Sequence, residues 1–472
     1  VNVARRPLGQ KGTIQLRNDY RMVVVSGDGR HAVAVQRIMN PVPVAVARLD
    51  GGDLEWRPFV TGVDATVAGH LCGDAWIAVT DVDAPRGRVV RIPLDSPDPD
   101  DPSAWEEIVP EAEALLRSVT PVGDVLYLAE LVDTYARVRI VDRSGEPCGE
   151  VPLPGRGALV ELPFPMMNMA TAAPTGAYTF AFSTLASSAG TYRHHPGADG
   201  LEVLREPGVS IEDGVVEDHW ATSADGTRVP FHTVRRAEAT LDRPRPAMIY
   251  AYGGSNAPWV PSFPGPMAAF VAAGGVFVHG HLRGGAEFGR DWWEGGRLRN
   301  EQNSYADLYA IAETLISDGV TDPSLLAVTG GSNGGLMAEV AATQRPGLWA
   351  AAIPRVPLLD VVGACRDGYG RGGWSRPSSA IRPTRTRRVG WRASPRTTWS
   401  PTTSPTLPCT STRATPIRAT RRGTPASSPP GCGPRAGPAR RSCCTSGATS
   451  ATAGPPTRTW RSSRTPSGWP SP

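Results

Sequence analysis

Eight residues, Val328-Thr329-Gly330-Gly331-Ser332-Asn333-Gly334-Gly335, constrain this chain more than any other stretch. The apolar run at 325–328 reads as a buried strand, and 336–343 carries a helical pattern. Between them Gly330, Ser332 and Gly334 form a Gly-x-Ser-x-Gly turn. A strand that becomes a helix over so few residues turns sharply enough to strain the serine backbone. A side chain at Gly330 or Gly334 would collide with the neighbouring strand or helix. The serine Oγ is thereby lifted clear of the sheet edge. The helix N-terminus behind it favours a negative oxygen.

The surrounding sequence supplies the layers such a turn requires. Residues 247–252 read as a strand followed by Gly253-Gly254, and 275–281 as a second strand followed by Arg283-Gly284-Gly285. In 304–318, Leu308, Ile311, Ala312, Leu315 and Ile316 recur at helical spacing. A further strand is expected at 349–353. This alternation predicts a mainly parallel sheet with helices on both faces, an α/β hydrolase arrangement with Ser332 as nucleophile. Its entry is the hairpin-like Trp220-Ala221-Thr222-Ser223-Ala224-Asp225-Gly226-Thr227-Arg228-Val229-Pro230.

The preceding part reads differently. Short β-rich runs at 21–26, 32–36, 44–49, 75–80, 88–93, 125–131, 137–141 and 178–184 are separated by turn chemistry. Examples are Ser26-Gly27-Asp28-Gly29, Asp50-Gly51-Gly52-Asp53 and Arg143-Ser144-Gly145-Glu146. Strands at this spacing without helical stretches predict a sandwich or a propeller. The acidic run at 97–102 reads as a solvated loop.

After residue 370 the pattern stops. Residues 371–472 hold 18 arginines and no Asp, Glu, Lys or His. Of 49 basic side chains, 31 therefore face 45 acidic ones in residues 1–370, a net of −14 hidden beneath an overall +4. Ile381, Val389, Leu407 and Ile417 are the tail's only Val, Ile or Leu, and 17 prolines interrupt it. Such a composition cannot build a core, so a disordered tail is expected. Its charge alone would permit salt-dependent association with nucleic acid. No aromatic or base-reading pattern accompanies it, and no nucleic-acid partner is expected.

The domains expected are thus 1–212 (all-β), 213–370 (α/β, incomplete) and 371–472 (tail). Hydrophobic residues make up 40% of the chain, enough for a substantial core, yet no apolar run approaches a membrane span. Seven cysteines are scattered, none with metal-ligand spacing. Reduced thiols of a cytoplasmic protein are expected, with no metal and no cofactor. The chain opens on Val1 rather than Met, which reads as a missing initiator or a longer N-terminal part.

Five motifs in order make residues 215–370 resemble the catalytic domain of the prolyl oligopeptidase family of serine peptidases. They are Asp225-Gly226-Thr227-Arg228-Val229-Pro230, Tyr252-Gly253-Gly254, Arg283-Gly284-Gly285-Ala286-Glu287-Phe288-Gly289, Gly330-Gly331-Ser332-Asn333-Gly334-Gly335-Leu336 and Gln344-Arg345-Pro346-Gly347-Leu348-Trp349. The resemblance implies a seven-bladed β-propeller cap, of which 1–212 would hold about four blades. It also implies Ser332 as nucleophile, with the Asn333 N–H and the Tyr252 hydroxyl as oxyanion donors. Short peptides would be the substrates and the chain a monomer. The family often places Phe directly after Tyr-Gly-Gly. Here Ser255 stands there, which leaves proline preference open.

A hydrolase serine needs a base, and in this fold the order is Ser, then Asp or Glu, then His. All eight histidines (His31, His70, His194, His195, His219, His232, His279 and His281) precede Ser332; the acids after it are Glu339, Asp360 and Asp367. His279 and His281 lie on a strand and read as packed or solvent-facing; His194-His195 reads as a loop of the β region. The triad Asp and His are therefore absent in the family's order, and the literal chain is expected to be nearly inactive. A reading-frame slip near residue 370 explains the loss. Shifted by one base, 408–418 is compatible with a strand followed by Gly-Asp-Thr-Asp-Pro-Arg, and 442–454 with a segment containing Gly-His-Gly. Both resemble the family's acid and base loops. Two other readings stay open: a propeller-bearing binding protein without catalysis, and an esterase or acylaminoacyl-peptidase-like hydrolase.

Overall fold

The computed structural model describes residues 21–52, 54–161, 165–168, 176–357 and 359–360. The tail readings, the restored-frame segments and Asp367 lie outside them.

The β region is four consecutive four-stranded antiparallel sheets. The first holds β1 (Arg21–Val25), β2 (His31–Gln36), β3 (Val42–Arg48) and β4 (Trp56–Pro58). The second holds β5 (Val67–Cys72), β6 (Ala75–Thr80), β7 (Arg88–Pro93) and β8 (Glu106–Val109). The third holds β9 (Leu115–Val122), β10 (Val125–Val132), β11 (Tyr135–Asp142) and β12 (Pro147–Glu150). In the fourth, β13 (Ala158–Leu159) precedes a short helix, α1 (Pro165–Asn168), then β14 (Tyr178–Ser183), β15 (Gly190–His194) and β16 (Glu202–Arg205). Strands pair with their sequence neighbours, as propeller blades do.

Apolar clusters lie between successive sheets, and this explains the sequence pattern. Val44, Trp76 and Ile92 join the first and second sheets. Val89, Leu126 and Leu128 join the second and third. Tyr127, Val138, Phe180 and Phe182 join the third and fourth. A blade flanked on both faces buries every position of its central strands. β6 is buried along its whole length, so it shows no alternation to read. His194 closes β15 instead of lying in a loop. It is 1% exposed, with Nδ1 2.8 Å from the Tyr127 hydroxyl.

The second region is a six-stranded sheet in the order β17-β18-β20-β19-β21-β22. β17 (Gly214–Thr222) and β18 (Arg228–Arg236) form the antiparallel entry hairpin. β19 (Ala247–Tyr250), β20 (Val276–Gly280), β21 (Leu326–Gly331) and β22 (Ala351–Arg355) run parallel. The helices are α2 (Met267–Ala272), α3 (Arg290–Glu294), α4 (Glu301–Ser317) and α5 (Asn333–Gln344). The core packs Ile249, Val278 and Val328 of the sheet against Leu308, Ile311 and Met337 of the helices. From β19 the chain steps to β20 on one side and later to β21 on the other. In open α/β sheets such a reversal creates a crevice at the strands' carboxyl ends.

A buried ion cluster fixes the loops around that crevice. Arg283, just past β20, has a side chain only 8% exposed. Its guanidinium donates to Asp307 of α4, to Asp225 in the hairpin turn and to Ser223. The Arg283 N–H also donates to Asp307, and its carbonyl accepts from Ser304 Oγ. These bonds outweigh the burial that would otherwise discharge the guanidinium, and they hold the Asp225 carboxyl well below the usual range. Removing one partner strands a buried charge. Asp307→Ala is expected to lower the unfolding free energy by about 3–5 kcal/mol. Asp225, whose side chain is 45% exposed, should cost about 1 kcal/mol or less when changed to Ala. Urea denaturation of the two variants checks this ranking; equal losses would contradict it.

Candidate active site

Ser332 sits between β21 and α5 with φ 55° and ψ −112°, a left-handed backbone unusual for a side-chain-bearing residue. Close packing enforces it. A Cβ at Gly330 would overlap the Ala251 and Gly334 carbonyl oxygens, and one at Gly334 would overlap Ala251 O. The Ser332 N–H donates to Arg355 O at 3.0 Å, and the Ser332 carbonyl accepts from the Gly335 and Leu336 N–H groups. Asn333 is the first residue of α5, where a backbone N–H has no intrahelical acceptor.

Tyr252 follows β19, the strand paired with β21 in the register Tyr250↔Thr329. The two segments are tied directly. Asn333 Nδ2 donates to the Tyr252 carbonyl at 2.7 Å and to that of Gly253 at 3.3 Å. Gly253, Ser255 and Asn256 all have positive φ, so the chain coils tightly here. The Arg283 loop packs behind: a Cβ at Gly284 would crowd the Gly253 and Gly296 carbonyls. Burial pushes the Tyr252 phenol up, and a hydrogen bond with Ser255 partly offsets it. The propeller side reaches the same loops. Asn256 Nδ2 donates to Asn40 Oδ1 at 3.1 Å, and Arg290 pairs with Asp81 at 3.1 Å.

Three expected residues, Ser332, Asn333 and Tyr252, thus gather where β21 passes into α5 beside the end of β19. The histidines do not join them. Among the described residues no histidine hydrogen-bonds to Ser332. His232, His279 and His281 instead pack together, with ring centroids 4.9 Å apart for His232–His281 and for His279–His281. His232 Nδ1 donates to Asp218 at 2.8 Å, leaving Nε2 to accept from the Thr134 hydroxyl at 3.1 Å. Tyr135 also donates to Asp218, at 2.6 Å. The Asp218 carboxyl lies low because hydrogen bonds from Tyr135, Arg156 and His232 outweigh its burial. His279 Nε2 donates to the Trp259 carbonyl at 3.0 Å.

Sequence reasoning missed Trp259 and Glu287. Trp259 stacks on Tyr250 (4.7 Å, 2°) and on Tyr252 (5.3 Å, 15°). Glu287, 2% exposed, accepts from the Trp259 N–H at 2.8 Å. An acidic residue within a Gly-rich motif signalled a special position, but nothing local named its partner.

Residues 21–204 match the prolyl oligopeptidase N-terminal β-propeller domain, and residues 261–381 match the prolyl oligopeptidase family. The prolyl endopeptidase of Elizabethkingia miricola is 28% identical over 320 residues, 65% of this chain and 43% of that protein. An uncharacterized peptidase of Sinorhizobium fredii, y4nA, is 42% identical over 155 residues, 33% of this chain and 21% of that protein. A solved prolyl endopeptidase structure superposes with a TM-score of 0.69 at 31% identity, over 80% of this chain and 54% of that one. Oligopeptidase B from Trypanosoma brucei with covalently bound antipain gives 0.66 at 26% identity, over 78% and 54%. The chain belongs to the prolyl oligopeptidase family, and it spans less than half the length of the curated prolyl endopeptidase from Elizabethkingia miricola. Among the described residues no helix is long and apolar enough to cross a membrane.

Ser332→Gly relieves the left-handed strain and should be more stable than Ser332→Ala by about 1–2 kcal/mol in chemical denaturation. Buried titrating groups should also shape stability against pH. Burial, aided by His281, lowers His232 from 6.5 to about 3, and burial lowers His281 to about 3. The unfolded chain then binds these protons more readily, so stability is full above pH 6.5 and is lost as pH falls toward 3. Burial raises Glu287 from 4.5 to about 8, with the opposite effect: its contribution is full below pH 4.5 and lost as pH rises through 8. Glu287→Gln should flatten the alkaline limb of melting temperature against pH and leave the acid limb in place.

Proposed function

We propose that Ser332 is the nucleophile of a serine-type peptidase that cleaves short peptides through an acyl-enzyme. The observation that carries this is the strained Ser332 backbone, opening α5 while its neighbour Asn333 is bonded to the Tyr252 loop. Ser332 Oγ attacks the scissile carbonyl carbon and gives its proton to a base. The negative charge that develops on the carbonyl oxygen is met by the Asn333 N–H and the Tyr252 hydroxyl, each contributing on the order of 3 kcal/mol. The C–N bond then breaks, the amine leaves with a proton, and water releases the acyl group. No cofactor or metal enters this scheme. The enzyme acts in the cytoplasm as a monomer.

The base and its acid partner come from the intact gene, out of frame after about residue 370 in this chain. As written, the chain retains only what its oxyanion donors and binding supply. Ser255, in place of a large aromatic side chain, favours broader acyl specificity and keeps ester or acylaminoacyl substrates within reach.

A fluorophosphonate probe tests the assignment. Slow labelling confined to Ser332, and lost in Ser332→Ala, is the expected result. Fast labelling would mean that a base is already present; labelling that survives Ser332→Ala would remove Ser332 from its role. Sequencing the coding DNA across codons 365–375 tests the frame slip, and an intact frame there sinks it.

A further inference from the structure

Tyr252 can serve an oxyanion only if its ring is held at a fixed angle; the Asn333 tether acts on its backbone, and Ser255 hydrogen-bonds its hydroxyl without fixing the ring face. Asn333 grips the Tyr252 carbonyl, not its phenol. The ring is held by Trp259, which lies nearly parallel to it at 5.3 Å and 15°. Trp259 also stacks on Tyr250, 4.7 Å away and 2° from parallel. The Tyr250 hydroxyl in turn lies beneath Gly331, 3.6 Å from where a Cβ would stand. One indole therefore braces two rings at the end of β19, one of which reaches the end of β21.

What fixes Trp259 is a pair of buried side chains from the next strand and its loop. Its N–H donates to Glu287 Oε1 at 2.8 Å, and its carbonyl accepts from His279 Nε2 at 3.0 Å. Among the described residues no cation hydrogen-bonds to Glu287, and Arg117 acts on it only through space and too weakly to offset its burial. His281, completely buried, places Nδ1 3.9 Å from the Glu287 carboxyl. Glu287 Oε2 and both His281 ring nitrogens make no hydrogen bond among the described residues. A buried carboxyl with one oxygen unsatisfied is costly to keep. Among the described residues, the only hydrogen bond this group makes to another residue's backbone is the one to Trp259.

We propose that Glu287 is a positioning residue for Tyr252: it fixes the Trp259 backbone, and the Trp259 indole fixes the phenol ring. The catalytic consequence rests on the reading of Tyr252 as an oxyanion donor; the structural linkage does not.

The test uses the full chain with ring-labelled tyrosine, the Tyr252 resonance being assigned by its loss in Tyr252→Phe. An indole face shifts a stacked phenol upfield. That shift should vanish in Trp259→Leu, vanish in Glu287→Leu and persist in Glu287→Gln, whose amide oxygen still accepts from the Trp259 N–H. Acylation of Ser332 by an activated ester should slow by roughly ten- to a hundredfold in the two Leu variants and recover in Glu287→Gln. A Tyr252 resonance unmoved in folded Trp259→Leu overturns the proposal. So does one unmoved in Glu287→Leu, and Trp259→Leu decides alone if Glu287→Leu does not fold. A resonance that moves while acylation stays constant upholds the linkage and instead removes Tyr252 from the oxyanion role.

Discussion

The guanidinium of Arg283 connects more of this region than any other group. A cation with 8% of its side chain exposed survives only where anions surround it, and Asp307 and Asp225 do so from different elements. In satisfying it, the chain joins the β17–β18 hairpin turn, the loop after β20 and the first half of α4. That junction sets Gly284 against Gly253, and Gly253 belongs to the coil that presents Tyr252. From there the Asn333 amide carries the linkage to the start of α5 and to Ser332. The elbow is thus strained locally and braced from outside. Local backbone strain of this kind persists only when surrounding packing over-determines it.

Much of the architecture was legible beforehand because it is written in local chemistry. Turn sequences such as Asp142-Arg143-Ser144-Gly145 stand between β11 and β12, where Asp142 Oδ1 accepts from the Ser144 and Glu146 N–H groups. The elbow was legible because only glycine fits beside Ala251 O. Its flanking elements were read too short. β21 continues through Gly331, and α5 begins at Asn333 although Gly334 and Gly335 are poor helix formers. There tertiary packing overrides propensity. Strands β5 and β9, absent from the sequence reading, carry Gly69, His70, Arg117 and Ser118 among their apolar residues. Their apolar character shows only against neighbouring blades.

The rest of the site was hidden because its partners are distant in the chain. Asp307 lies within a helical pattern that says nothing of its partner; only the fold brings it to Arg283. Trp259 follows a coil with no periodicity, and its stacking on Tyr250 and Tyr252 depends on how that coil returns over β19. The sequence leaves His279 and His281 either packed or solvent-facing, and the fold packs them. Their neighbour His232 joins them to Asp218, Tyr135 and Thr134, so the cluster bridges the propeller and the hydrolase sheet. Its chemistry is that of neutral, buried imidazoles committed to structural contacts, which leaves Ser332 without a base from this source.

As nucleophile and oxyanion donor, Ser332 and Tyr252 must act on the same reacting group. Single-turnover acylation by an activated ester, followed by mass spectrometry of the intact chain, measures this directly in the parent and in Tyr252→Phe. Acylation confined to Ser332 and slowed about 10²–10³-fold by Tyr252→Phe is the predicted result. Equal rates in the two proteins, or an acyl group carried elsewhere, would contradict it.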